Sequence, residues 1–312
     1  MYLKKQYNVK TIIKKTAVLI CKQYENSTVS FHKNFYLAKH ALYAILREYF
    51  SKEEGFVRSY AKKLMDTAIL AGQIMLECNA ESYRVEETMN YILSTSNFET
   101  CEAFAMATGI FATLDDDCID SITEIRRVPN RDTNLNRIYK VNAISRQLVT
   151  KEIDLDTAYQ RLQDLKESEY PQWLKDLGLI LMCGFYAALF GATPIELVIA
   201  SVAAIIMPFV YKLDPKLKLG TFVLNLISII PAIVIIILIQ KHFVPDARIG
   251  ISIVGLIMPA VPGTAITNAI RDTLRGDYNS GAARAIEAFV TALSVAIAVA
   301  LGLVLAGGAN PL

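Results

Sequence analysis

The sequence predicts an α-helical polytopic membrane protein with five transmembrane helices and an N-terminal cytoplasmic α+β domain, and three observations lead there. The 312 residues are 53% hydrophobic and only 20% charged, with a mean hydropathy of +0.34, too apolar for a pair of ordinary soluble domains. The charge is also partitioned. Lys+Arg stand against Asp+Glu at 11 to 4 in residues 1–58, 13 to 20 in 59–176 and 8 to 6 in 177–312. Finally, the last block contains five long apolar runs. The chain therefore divides into a basic arm (1–58), an acidic α+β domain (59–170) and a membrane domain (171–312).

The five runs are Trp173 to Ala192, Thr193 to Tyr211, Leu219 to Ile239, Ile249 onward, and Ala288 to Ala306. A bilayer core of about 30 Å needs about 20 helical residues, which each run approaches. Tyr170 and Trp173 before the first suit an interfacial belt. Basic residues in the connecting segments set the orientation. Lys212, Lys216, Lys218, Arg271, Arg275 and Arg284 fall on one side, and only Lys241 and Arg248 on the other. The richer side is the cytoplasmic one, which places the acidic domain inside and the C-terminus outside.

The fourth run is interrupted by "MPAVPGTAITNAIRD", Met258 to Asp272. At 1.5 Å per residue, Ile249 to Val261 covers only about 20 Å before Pro262, so residues 263–270 must supply the remaining depth. On a helix restarting there, Thr264, Asn268, Arg271 and Arg275 share a face, while Ile266, Ala269 and Ile270 look away. Irregular backbone at membrane depth persists only where protein or a wet cavity surrounds it. Half-helix N-termini in transporters point at anionic groups. The Gly263 to Ile266 amides are thus candidates to hold a carboxylate, with Arg271 as its counter-ion. The plainer alternative is a proline kink followed by a cytoplasmic helix, with Arg271 and Asp272 merely solvated. Asn225 and Ser228 precede Pro231 in the third run, and Glu287 stands at the foot of the fifth. Ionisable groups in such segments default to functional hypotheses, here as proton carriers. Glu196, just inside the second run, reads as interfacial.

Residues 59–170 alternate between helical and strand periodicities. "YAKKLMDTAILAGQIMLECNA" turns Leu64, Ala68, Ala71 and Met75 to one side, and "ESYRVEETMNYILSTS" does so with Val85, Met89, Ile92 and Leu93. Ser82 or Asn79 is the expected cap between them. "CEAFAMATGIFATLDDD" reads as two strands around Thr108-Gly109, and "IDSITEIRRV" as a third. Helices from about Asn134 to Val149 and Asp154 to Lys166 complete the domain. The acidic clusters Glu77, Glu81, Glu86, Glu87 and Asp115, Asp116, Asp117, Asp120 lack EF-hand spacing. They read as solvated surface, and no metal site and no cofactor are expected. His32, His40 and His242 form no cluster, and Cys21, Cys78, Cys101, Cys118 and Cys183 show no CxxC spacing, so reduced thiols are expected. No phosphate-binding loop, dinucleotide fingerprint or GxSxG is present. In the arm, "YLAKHALYAILREYF" suits an amphipathic helix on anionic lipid.

Four separated blocks, "LAGQIMLECNAESYRVEETMNYIL", "ATGIFATLDDD", "EIRRVPNRDTNLNRIYKVNAISRQLV" and "VPGTAITNAIRDTLRGDYNSGAARAIEA", resemble in order the threonine/serine exporter family from about residue 65 onward. The resemblance implies a bacterial inner-membrane secondary transporter that exports small polar metabolites and is not an enzyme. In its split form, a chain like this one works with a smaller membrane subunit of about four spans. Relatives of that form are linked to dicarboxylate (succinate) export. Family-like positions here are Glu81, Tyr83, Arg84 and Glu86; Pro129, Asn130 and Arg131; and Pro262, Gly263, Asn268, Arg271, Asp272, Gly276, Asp277, Gly281 and Glu287. The first 58 residues depart from the family's usual start.

The expected function is proton-coupled export of threonine/serine-type amino acids or dicarboxylates. Gly263, Thr264, Asn268, Arg271 and Asn225 are the expected substrate contacts, and Asp272 or Glu287 the proton carrier. Expected partners are a small-molecule substrate, the lipid bilayer, the smaller subunit and, as an open alternative, further copies of the chain; nucleic acid is not among them. Two rivals belong to other classes: a membrane-anchored hydrolase acting through the acidic domain, and a membrane scaffold without flux.

Overall fold

A computed structural model describes residues 57–117, 119–165, 170–214 and 219–307. The arm lies outside the described residues, together with its expected amphipathic stretch, Cys21, His32 and His40; only Val57 and Arg58 are described, and both already belong to a helix. Cys118, Lys216 and Lys218 lie outside as well. The chain forms two compact units divided between Lys166 and Glu167.

The first unit opens with α1 (57–77) and α2 (Ser82–Leu93). Leu64, Ala68, Ala71 and Met75 of α1 and Val85, Met89, Ile92 and Leu93 of α2 are all buried in one core, as their spacing requires. Neither expected cap operates. Glu81 occupies the N-cap of α2 without a side-chain cap bond, and Asn79 takes the left-handed turn position at φ 64°.

Strands β1 (Thr100–Met106), β2 (Gly109–Asp116) and β3 (Ile119–Arg127) form an antiparallel meander in that order. Met106 pairs with Gly109, so the tight turn is Ala107-Thr108, one residue earlier than the sequence suggests. Alternation sends Ala105, Ile110, Ala112 and Leu114 into the core. On the solvent face, the Thr113 and Thr123 hydroxyls meet at 2.9 Å. β1 is an edge strand, and Glu86 Oε1 accepts from its Ala105 amide at 2.9 Å, tying α2 to the sheet.

Helices α3 (Leu135–Val149) and α4 (Leu155–Asp164) follow, capped by Asn134 and Asp154, whose side chains accept from Arg137 N and Thr157 N. Between β3 and α3 the chain docks onto the α1–α2 turn. Asp132 N donates to Glu77 O at 2.8 Å and Asn134 N to Cys78 O at 3.3 Å.

The second unit is entirely helical among its described residues. It contains α5 (Gln172–Leu189), α6 (Pro194–Ala204), α7 (Ile206–Tyr211), α8 (Gly220–Phe243), α9 (Ile249–Ile257), α10 (Gly263–Leu274) and α11 (Tyr278–Leu305). Three stretches are long and apolar enough to cross a bilayer, namely Pro194–Tyr211, Gly220–Phe243 and Tyr278–Leu305, and the bent pair α9–α10 makes a fourth if counted as one span. α5 opens with Lys175 and Asp176, which shortens its apolar stretch. α11 starts ten residues before the expected span at Ala288, because a helix rich in Ala continues through its polar first turns.

Glycine sets the closest approaches. A Cβ on Gly255 would lie 2.5 Å from the Ala187 Cβ and 2.7 Å from Cys183 O, so α9 and α5 meet nearly backbone to backbone. A Cβ on Gly281 would lie 2.2 Å from Thr273 Oγ1, bringing α10 and α11 together in the same way.

Candidate functional site: a broken helix and a buried ion pair

The fourth run breaks where its sequence breaks. α9 ends at Ile257, Met258–Ala260 forms one 3₁₀ turn, and Val261 is extended at φ −70°, ψ 127°, the conformation that a following proline enforces. α10 then restarts at Gly263, bent by 50° from the preceding segment. Two of the four amides expected to face a ligand are already engaged: Gly263 N donates to Val261 O at 2.8 Å and Ile266 N to Pro262 O at 3.0 Å. Thr264 and Ala265 carry the remaining first-turn N–H groups, which a helix leaves unbonded within itself.

α10 has three sides. Asn268, Ala269 and Asp272 are buried. Thr264, Arg271 and Arg275 line an uncovered polar stripe beside them, and Ile266, Ile270 and Leu274 form an uncovered apolar face. The expected polar face is thereby divided, since Asn268 turns inward while Thr264 and Arg271 do not. Ala269 sits with Asp272 rather than with Ile266 and Ile270.

The inward side is where the charge lies. Asp272 Oδ2 and Arg284 Nε stand 3.0 Å apart, each side chain only 1% exposed. The pair couples the end of α10 to the second turn of α11, next to the Gly281 contact. By sequence alone Arg284 counts as a loop cation; the structure buries it. The signal for its burial is its place among Gly281, Ala288, Val295, Ala298 and Gly302, the three-and-four spacing of the buried face of α11. Farther along that face, Asn225 Nδ2 of α8 donates to Ser294 Oγ at 2.8 Å. Ten residues separate Arg284 from Ser294, about 15 Å along the helix, so Asn225 and Asp272 mark two different depths. Glu287 is exposed on α11.

A second ion pair, unforeseen as such, closes the other end of the bundle. Glu196 is 2% exposed, and its Oε1 and Oε2 accept from Arg248 Nε and Nη2, each at 3.0 Å. Glu196 also completes the capping box of α6 with Thr193, and Arg248 Nη2 reaches Gly191 O at 2.7 Å. One arginine thus ties the α5–α6 turn to the start of α9. An apolar groove of about 500 Å³ lies beside the break, lined by Ile257, Val261 and Pro262 and by Ala292, Val299 and Leu303 of α11; it offers no group that would hold a carboxylate.

The family model for threonine/serine exporters, ThrE, matches residues 66–306, across both units and the whole of the broken helix. The chain belongs to the threonine/serine exporter family. A Klebsiella aerogenes member named as a probable succinate transporter subunit, YjjP, is 23% identical over 235 residues, which are 75% of this chain and 90% of that one. No solved structure matches the chain. This exporter-family chain is accordingly a membrane protein of transporter type.

The family-like positions of its first unit have local structural roles. Glu81 begins α2 and is buried, with Arg84 Nε 3.7 Å from its Oε2. Tyr83 is half-buried, and Glu86 holds the sheet edge. Asn130 is exposed and Arg131 half-buried in the segment that leads onto the α1–α2 turn.

Proposed function

We propose that the chain is the larger subunit of a secondary exporter that moves a small carboxylate-bearing metabolite, a threonine/serine-type amino acid or a dicarboxylate such as succinate, out of a bacterial cell against an inward flow of protons. The single observation that carries this reading is the buried Asp272–Arg284 pair beside a broken helix long and apolar enough to be one span. A buried ion pair is a costly way to hold two helices together, and ionisable groups in membrane segments mark substrate or proton paths. Thr264 and Ala265 amides with Arg271 receive the carboxylate from the uncovered side of α10, and Asn268 meets its polar groups. Asp272, one residue from Arg271, takes the proton; once neutral, it releases Arg284 and loosens the α10–α11 contact. Asn225 supports this path at another depth through Ser294, and Glu287 is the second proton carrier to be weighed.

Five spans follow if α5 crosses as well, with α6 and α7 joined as one and α9 and α10 as another. With Arg284 removed from the loop tally because it is buried, five cations still face two, which favours an inner-membrane orientation with the first unit cytoplasmic and the C-terminus outside. The relative named as a subunit supports a smaller membrane partner. Family membership favours transport over the membrane-anchored hydrolase and the scaffold.

Efflux of labelled threonine and succinate from preloaded cells tests the reading. Arg271→Ala, at an exposed position, is expected to abolish export while the protein still inserts and purifies at normal yield; Asp272→Asn is expected to abolish export too, with a loss of stability because it leaves Arg284 buried without its counter-charge. Normal efflux of both compounds from the Arg271→Ala variant removes the proposed substrate site.

A further inference from the structure

The first unit contains a groove that transport leaves without a task. It lies between α2 and α3 and encloses about 430 Å³, within the range of about 300–1,000 Å³ typical of small-molecule sites. The two helices bury Val85, Met89, Val141, Ile144 and Leu148 in the core below, and their adjoining faces are polar. The floor is built rather than incidental. Thr88 and Ser145 are 4% and 3% exposed, and Thr88 Oγ1 donates to Asn142 Oδ1 at 3.1 Å, which leaves the Asn142 side-chain amide with its own N–H donors. Arg84 and Arg146 line the walls. Arg84 stands 3.7 Å from Glu81, a loose pairing, and Arg146 takes part in none of the ion pairs among the described residues. Glu87 is held on the rim by Tyr91 Oη at 3.3 Å.

Two guanidinium groups above a floor whose Asn142 amide still offers N–H donors, the Thr88 and Ser145 hydroxyl protons being given to Asn142, are suited to a carboxylate, which arginine binds through two parallel hydrogen bonds. We propose that this groove is a binding site for a small metabolite carboxylate, separate from the transport path and independent of the transport reading. Arg146 and Arg84 hold the carboxylate, and Thr88, Asn142 and Ser145 meet the rest of the molecule. Glu87 on the rim distinguishes the two sources of that group: it attracts the ammonium of an α-amino acid and repels the second carboxylate of a dicarboxylate.

The test is equilibrium binding of labelled threonine and of labelled succinate to the purified full chain in detergent. Saturable binding of one of them is expected to persist in Arg271→Ala, which removes the proposed transport site, and in that background to weaken at least about tenfold with Arg146→Gln and with Arg84→Gln, both exposed positions at which the fold is retained. Unaltered affinity in both arginine variants overturns the proposal, as does the absence of saturable binding of either compound. Loss in Arg271→Ala with retention in Arg146→Gln also overturns it, by moving the site to the membrane unit. Groove binding that survives in a chain with no measurable efflux would sink the transport reading alone.

Discussion

Arg284 and Asp272 place two full charges where neither side chain touches solvent. Attraction offsets their desolvation only while both are present, so removing one leaves an uncompensated buried charge at a cost of about 3–5 kcal/mol. Arg284→Ala is therefore expected to lower the unfolding midpoint in detergent sharply, and the exchanged pair Asp272→Arg with Arg284→Asp to recover part of it. An equal loss in the single and exchanged variants contradicts the pairing. Arginine in a polar stretch such as "YNSGAARAIEA" resembles a loop residue, and only the helical spacing of its small neighbours betrays its burial. Thiols are simpler to read at this scale. Burial pushes Cys101 above the ordinary thiol value, opposed by the Ser96 hydroxyl, so it ionises at higher pH than a free cysteine. Its alkylation, followed by mass spectrometry, should reach half its maximal rate at a higher pH than that of a free thiol, and an equal or lower midpoint would contradict the burial.

At the scale of elements, glycine contacts decide how tightly the helices close. Gly255→Val drives a side chain into Ala187 and Cys183 O, and the resulting overpacking costs about 1–3 kcal/mol; thermal unfolding in detergent checks it, and an unchanged midpoint refutes the close α5–α9 crossing. The break in the fourth run was legible because length and proline agree: too few residues precede Pro262, and the helix restarts directly after it at Gly263. The division of α10 was only half legible. A three-and-four spacing places Thr264, Asn268 and Arg271 near one another on a helix, yet which neighbour covers which sector depends on the path of α11. The same limit hid Ser294 as the partner of Asn225 and Arg248 as the partner of Glu196, pairs 69 and 52 residues apart in sequence. The sheet was legible to within a residue, since alternation fixes which residues point inward and leaves only the turn to be placed.

Over the whole molecule, the chain divides into two units between Lys166 and Glu167, and the composition changes from acidic to apolar close to that point. α10 then presents an uncovered polar stripe next to an uncovered apolar one within a helical unit whose exposed surface is rich in Ile, Leu, Val and Phe. Lipid satisfies the second and not the first, so water, substrate or a partner subunit must meet Thr264. Single cysteines at Thr264 and at Ile266, each in an otherwise cysteine-free chain in intact membranes, test this most directly with a water-soluble, membrane-impermeant maleimide. The account predicts that Thr264→Cys is labelled and is protected by excess threonine or succinate, while Ile266→Cys stays unlabelled in lipid; equal labelling at the two positions, or none at Thr264→Cys, would contradict it.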